Sequence, residues 1–273
     1  MVSVDNIYVE DCMETMQRMI SEDFIVDYII TSPPYNTVNS GKALMSESAR
    51  KIFVGRYDVL QENMTNEEYL EWTRQLFNNF DKILKKNGCI LYVLSYGNGN
   101  PTLMYDILHT IIHDTVFTVA DNIVWKKHSV IPNVSAYNKL TRTCEYIYVI
   151  CRETEYMTFE TNKKVTAIRK DGRKYYNDVR NFIDCYNNDF KGKGNRFYLN
   201  GATFSTELVQ ELIDRYVPDD KRTECIVYDP FMGSGTTANA CKLNGINYVG
   251  SEISEAQTEF ARNRVKKQQT KLI

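Results

Sequence analysis

The chain is predicted to fold as one α/β domain, a mostly parallel sheet with helices on both faces. Three observations predict it. Its 273 residues suit one large α/β domain with room for a buried core. Short apolar runs alternate with amphipathic segments, the pattern of a parallel sheet covered by helices. Two of those runs end in a rigid or glycine-bearing turn, and the carboxyl ends of parallel strands are where such folds bind ligands.

In chain order the predicted strands are Ile7–Val9, Val26–Thr31, Cys89–Ser95, Asn122–Lys126, Glu145–Cys151, Cys225–Asp229 and Tyr248–Glu252. Between them lie helical candidates at Met13–Ile20, Asn66–Lys85, Pro101–His109, Thr206–Tyr216, Thr236–Leu243 and Glu255–Lys267. The second helix carries its own signals. Thr65 and Glu68 stand at capping-box spacing, and Asn87-Gly88 is expected to end it. Tyr69, Trp72, Leu76, Phe80, Ile83 and Leu84 form an apolar stripe at helical spacing, read as core. Two polar stretches resist assignment. Residues 37–64 are read as a mobile substrate loop and residues 152–198 as a target-recognition insertion, within a single catalytic domain spanning 1–273.

Hydrophobic residues make up 43% and charged residues 25%, ordinary for a water-soluble domain. No apolar run approaches the roughly 20 residues that cross a bilayer. The start lacks the regions of a signal peptide, so no membrane partner and a cytoplasmic location are expected. The seven cysteines are scattered and form no C-x-x-C pair, so neither a disulfide framework nor a metal site is expected.

A net charge of -2 conceals a strong segregation. Lys163, Lys164, Arg169, Lys170, Arg173, Lys174, Arg180, Lys191, Lys193 and Arg196 cluster in one stretch, broken only by Asp171, Asp178, Asp184 and Asp189. Tyr175, Tyr176, Phe182 and Tyr186 interleave them. A basic face with aromatics suits a nucleic acid, and a solvated loop is the equal alternative from charge alone.

Two motifs carry chemistry. In VDYIITSPPYN, a buried strand runs into Ser32, Pro33, Pro34, Tyr35 and Asn36. Consecutive prolines fix an extended turn and leave their carbonyls without neighbouring N–H groups. Such a turn suits a flat amino-substituted ring. Tyr35 would stack on it while Ser32 and a prolyl carbonyl accept from its NH₂. In CIVYDPFMGSGTTANA, a strand ends at Asp229, and Pro230, Phe231, Gly233 and Gly235 lead into a helix at Thr236–Thr237. Glycines allow close backbone approach, and a helix start binds polar groups. Glu252 ends the next strand, where a carboxylate can take the hydroxyls of a ribose. This pattern also fits a dinucleotide fingerprint. Asp229 ahead of the loop would repel a pyrophosphate but could serve the cationic methionine end of S-adenosylmethionine, which favours that cofactor.

Together these residues resemble the β-class DNA amino-methyltransferases, the N4-cytosine and N6-adenine family, over nearly the whole chain. TSPPYN resembles that family's catalytic motif, and DPFMGSGTT its cofactor loop. VGSEIS is similar to the segment whose acid binds the ribose. EDCMETMQRM resembles the family's opening segment, which casts Asp11 and Cys12 as cofactor neighbours. The blocks Ile123–Lys127 and Cys144–Arg152 resemble those lining the target-base side. The chain departs from the family at residues 200–205, where Asn200-Gly201 replaces His-Pro, while Ala202, Thr203 and Phe204 still match.

The resemblance implies a Rossmann-like S-adenosylmethionine-dependent methyltransferase fold in circularly permuted motif order. It implies methyl transfer from S-adenosylmethionine to the exocyclic amine of a flipped base in double-stranded DNA. Ser32, Pro33, Pro34 and Tyr35 would be catalytic. Asp11, Cys12, Thr203, Phe204, Asp229, Pro230, Phe231, Gly233, Gly235, Thr236, Thr237 and Glu252 would hold the cofactor. No Pro-Cys dipeptide occurs, which argues against methylation at carbon 5 of cytosine. Ser32 heading the catalytic string favours cytosine N4, while Asn36 pulls towards adenine N6. RNA or protein substrates remain alternatives. A homodimer and a cognate restriction endonuclease are compatible further partners.

Overall fold

The computed structural model describes residues 1–36, 64–95, 100–128, 130, 132, 138, 140–175, 180–189 and 203–269. One sheet of eight strands organises it, in the order β1-β10-β9-β2-β3-β5-β4-β8. These are β1 (Asn6–Val9), β2 (Val26–Thr31), β3 (Leu84–Leu94), β4 (Phe117–Lys127), β5 (Cys144–Arg152), β8 (Phe182–Cys185), β9 (Ile226–Asp229) and β10 (Asn247–Glu252). The first five in the sheet order run parallel, and β5 alone runs against its neighbours. The expected α/β architecture is present.

Helices α1 (Cys12–Ser21), α2 (Asn66–Ile83) and α3 (Leu103–Asp114) cover one face; α4 (Thr206–Tyr216), α5 (Thr236–Leu243) and α6 (Glu255–Gln269) cover the other. Strand β3 shows how both cores form from one run. Cys89, Leu91 and Val93 enter the second face's core, and Ile90, Tyr92 and Leu94 enter the first. All six are at most 1% exposed, so the run is apolar throughout because neither face meets water.

The expected bounds of β2, α4 and α5 match, and the Thr65–Glu68 capping box is formed. The end of α2 differs. The helix stops at Ile83, and Leu84 turns extended (φ -81°, ψ 128°) to begin β3. Asn87-Gly88 instead lies inside β3 at an irregular register against β2. Asn87 takes φ 62°, and a Cβ on Gly88 would meet the Asp27 carbonyl at 2.5 Å. The pair that sequence reading took for a helix stop shapes a bulge.

The insertion 152–198 is partly woven into the fold. Phe159 packs on the core, and β8 extends the sheet along β4. Between them stands an exposed hairpin, β6 (Ala167–Ile168) and β7 (Lys174–Tyr175). Residues 37–63 of the expected substrate loop lie outside the described residues. Among the described residues no helix is long and apolar enough to cross a membrane.

Candidate active site

The chain reaches β2 and β9 from opposite directions. From β2 it continues through α2 to β3 on one side, and from β9 through α5 to β10 on the other. Their shared seam is therefore a topological switch point, where the carboxyl ends of strands open a crevice. Both sequence motifs stand on it.

A buried carboxylate ties the two motifs together. Asp229 is 1% exposed. Its Oδ1 accepts from the Thr31 hydroxyl at 2.7 Å and the Phe231 N–H at 3.0 Å, and its Oδ2 accepts from the Thr237 hydroxyl at 2.6 Å. Burial pushes its carboxyl up to about 6 despite those three donors. Asp229 thus ties the end of β2 to the head of the glycine loop through its own chain. Pro230 completes the turn beside it.

The glycine loop is held from several sides. Gly233 (φ 49°) and Gly235 (φ 76°) adopt the left-handed backbone that glycine enters most easily. At Gly235 a Cβ would also press on Ala261 at 2.7 Å, so the residue permits α6 to pack on the loop. Glu252 accepts from the Gly233 N–H at 2.8 Å and the Ser254 N–H at 2.9 Å. Arg264 of α6 donates to the Ser234 carbonyl and the Thr236 hydroxyl, each at 3.1 Å, and pairs with Asp189. Thr236 reaches the Phe204 carbonyl at 3.3 Å. Thr203 stands beside Phe204, half-buried at the lead into α4, whose N-cap is Ser205. Asn200, Gly201 and Ala202 lie outside the described residues.

Strand β1 brings a third wall. Its Val9 pairs with Glu252, and Asp11 follows as the exposed N-cap of α1, accepting from Met13 N–H at 2.7 Å. Cys12 is buried, and burial drives its thiol pKa far up, so its side chain belongs to the core. Behind this wall runs a hydrogen-bonded chain that sequence reading missed: Glu10, Thr15, Ser251 and Tyr228, with contacts of 2.6, 2.8 and 2.8 Å.

The Ser32–Tyr35 turn is shaped by its own hydroxyls, by Tyr69 of α2 and by the backbone just ahead of that helix. Ser32 donates to the Tyr35 hydroxyl at 2.9 Å, so its own oxygen is left to act as an acceptor. Tyr69 donates to the Pro34 carbonyl at 2.6 Å. Asn36, with φ 47° and 2% exposure, donates to the Met64 carbonyl at 2.9 Å and closes the turn. Tyr69 had been read as core alone; it is buried, yet its hydroxyl reaches the turn. Its i, i+3 spacing to Trp72 was the only available signal.

The basic residues are divided. Strands β4 and β8 carry their chain upwards to the same pole as Ser32, whereas β5 descends from it. After β5, Asn162 bonds to Arg215 at the end of α4, and Lys164 pairs with Asp219 at 2.5 Å. Lys163 and Lys164 therefore lie at the pole opposite the crevice. Arg169, Lys170, Arg173 and Lys174 project from the exposed hairpin, and Arg180 precedes β8. Within the hairpin Asp171 stands 3.4 Å from Arg169 and 3.6 Å from Arg173, one acid among four basic side chains, while Asp184 and Asp189 pair with Lys126, His128 and Arg264. Lys191, Lys193 and Arg196 lie outside the described residues.

Comparison with known proteins gives the family and the fold. A family model described as DNA methylase matches residues 26–263. The chain is 25% identical over 262 residues to the type II methyltransferase M.HinfI of Haemophilus influenzae, covering 94% of this chain and 67% of that protein. It is 23% identical to M2.DpnII of Streptococcus pneumoniae, covering 93% and 87%. Among solved structures, the M1.HpyAVI–SAM complex superposes with a TM-score of 0.59 at 23% identity, over 95% of this chain and 98% of the other. The PvuII DNA methyltransferase, titled cytosine-N4-specific, gives 0.65 at 16% identity, over 99% and 93%.

Proposed function

The chain belongs to the DNA methylase family of N4 and N6 amino-methyltransferases, and from that membership we propose that it methylates cytosine N4 in double-stranded DNA, using S-adenosylmethionine. The observation that carries this reading is the junction at the switch point. Thr31, next to the catalytic turn, is bonded directly to Asp229 at the head of the glycine loop.

The residues fit the cofactor. Gly233 places no side chain at the loop, and Glu252 is held there as a fixed acceptor for a diol. Asp11 lies beside it at the end of β1. Bound adenosylmethionine supplies an electrophilic methyl group on a sulfonium. The chain's own task is to present the amine. An exocyclic amine is a weak nucleophile because its lone pair delocalises into the ring. Tyr69 occupies the Pro34 carbonyl, so Ser32 Oγ and the Pro33 carbonyl are the acceptors for the two amine hydrogens. Those bonds pyramidalise the nitrogen and direct its lone pair, a gain from orientation and fixed dipoles. Stacking on Tyr35 offsets part of the cost of flipping the base, at about 1–3 kcal/mol per base.

The choice of cytosine rests on Ser32 as the first residue of the turn. Asn36, which pulled towards adenine, has a structural task of its own in closing the turn. The test is incubation with unmethylated DNA and adenosylmethionine, followed by nucleoside mass spectrometry. N4-methylcytosine supports the reading, and N6-methyladenine keeps the enzyme while replacing the base. Neither product, with cofactor binding intact, redirects the search to RNA or protein substrates. A companion restriction endonuclease belongs to the same reading, on the type II relatives.

Glu252→Ala is expected to weaken adenosylmethionine binding by about tenfold or more, since it removes a charged acceptor and loosens Gly233. Titration calorimetry measures this, and an unchanged dissociation constant would remove Glu252 from the cofactor site. For DNA, we assign the hairpin residues Arg169, Lys170, Arg173 and Lys174 to the phosphate backbone. Replacing all four with alanine should flatten the slope of log affinity against log salt by up to about 3–4 units. Lys163 and Lys164 are the control, and their replacement should leave the slope unchanged. If the hairpin variant keeps the full slope, the DNA surface lies elsewhere.

A further inference from the structure

Besides Thr31 and Asp229, a second bridge joins the catalytic turn to the cofactor loop, and it is aromatic. Tyr69, bonded through its hydroxyl to the Pro34 carbonyl, has its ring centroid 5.2 Å from that of Trp72. Trp72 in turn lies 5.6 Å from Phe231 of the cofactor loop, with the planes inclined at 44°. Tyr35 and Phe231 pack on the same apolar cluster. Tyr69 is buried, whereas Trp72 keeps part of its indole accessible. A half-buried indole therefore stands between the groups that hold the acceptor and the loop that holds the donor.

A methyl donor bound at Glu252 and the glycine loop must bring its reactive carbon to an amine held at Ser32 and Pro33. Its sulfonium would then be held near the seam that Trp72 bridges. A sulfonium is a cation carrying three carbon substituents and no N–H, so it cannot be recognised by hydrogen-bond acceptors in the usual way. Oxygen dipoles, carboxylates and aromatic faces can stabilise its charge, and the aromatic face does so without a hydrogen bond. The carboxylate at this seam, Asp229, is buried and bonded to Thr31, Thr237 and Phe231. We propose that Trp72, with Phe231 beside it, binds the sulfonium of the methyl donor through its π face. The site thereby favours the cationic donor over the neutral thioether left after transfer. This inference rests on the adenosylmethionine reading above and adds a residue that discriminates substrate from product.

The test is the pair of dissociation constants for S-adenosylmethionine and S-adenosylhomocysteine, measured by calorimetry without DNA. Trp72→Leu should lose about fivefold in affinity for the sulfonium compound, the order of a partly desolvated cation–π contact. Affinity for the thioether should stay within about twofold, which also shows that the variant is folded. Trp72→Phe, which keeps a π face, should retain most of the discrimination. If leucine at this position fails to fold, Trp72→Met offers a more adaptable side chain of about leucine's volume, also without a ring, and should behave as the leucine variant would. Equal losses for both compounds, or no loss for either, would overturn the assignment and leave Trp72 a packing residue. A wild-type protein that binds neither compound would overturn the cofactor reading itself, and this inference with it.

Discussion

Ser32→Ala is expected to lower kcat by about a hundredfold or more while leaving adenosylmethionine affinity within about twofold. The estimate follows from removing one fixed hydrogen-bond partner at the reacting group, which costs about 10²–10³ in comparable sites. The Ser32 hydroxyl is turned to Tyr35 at 2.9 Å. Tyr35→Ala should show the same split, because it removes both the stacking face and the partner that orients Ser32. Tyr35→Phe keeps the ring and loses only the hydroxyl, so its loss should be smaller, about tenfold. Single-turnover kinetics alongside calorimetry separates the steps. If both alanine variants lost cofactor binding as severely as turnover, the turn would belong to the cofactor site and the assignment would fail.

The second large effect is expected at Asp229. Asp229→Ala strands two hydroxyl donors and a backbone N–H in the core, at about 1–3 kcal/mol for each buried group left unsatisfied. A loss of about 3–5 kcal/mol in urea unfolding is expected, with cofactor binding lost as well. Asp229→Asn is different. Its amide oxygen can accept from Thr31 and Phe231, and its NH₂ can donate to Thr237 once that hydroxyl rotates. It should therefore fold and report on ionisation. The carboxyl is raised from an ordinary value of 3.8 to about 6 by burial, so the folded state binds the proton more tightly than the unfolded chain does. Its contribution to stability is fully present below pH about 4 and is lost as pH rises through about 6. A difference of about two units corresponds to roughly 3 kcal/mol. Wild-type stability should fall relative to Asp229→Asn by that order between pH 4 and 7. A constant difference across the range would show that the carboxyl titrates as it does in the unfolded chain.

What could be read without the structure follows the range over which each signal acts. Helix α2 announced its start through Thr65 and Glu68, three residues apart, because capping is settled within one turn. Its end was misread because Asn87-Gly88 suits a helix stop and a bulge equally, and only the Asp27 carbonyl across the sheet decides between them. Strand β8 was passed over inside a basic stretch, although buried Ile183 and Cys185 alternate with exposed Phe182 and Asp184. Its charge surroundings hid a four-residue strand whose partner, β4, lies far back in the chain.

The sequence by itself determined the motifs: the Ser32–Tyr35 turn, the Asp229–Thr237 loop, Glu252 and the α/β alternation that carries them. Each is written in neighbouring residues whose backbone limits and periodicity are local properties. Only the tertiary structure decided that Thr31 meets Asp229 across 198 residues, that Tyr69 takes the Pro34 carbonyl, and that Lys163 and Lys164 face away from the crevice. These depend on which strand ends share a pole of the sheet. That is set by the pairing order of the strands, which rests on summed burial over the whole core, and no single segment encodes it.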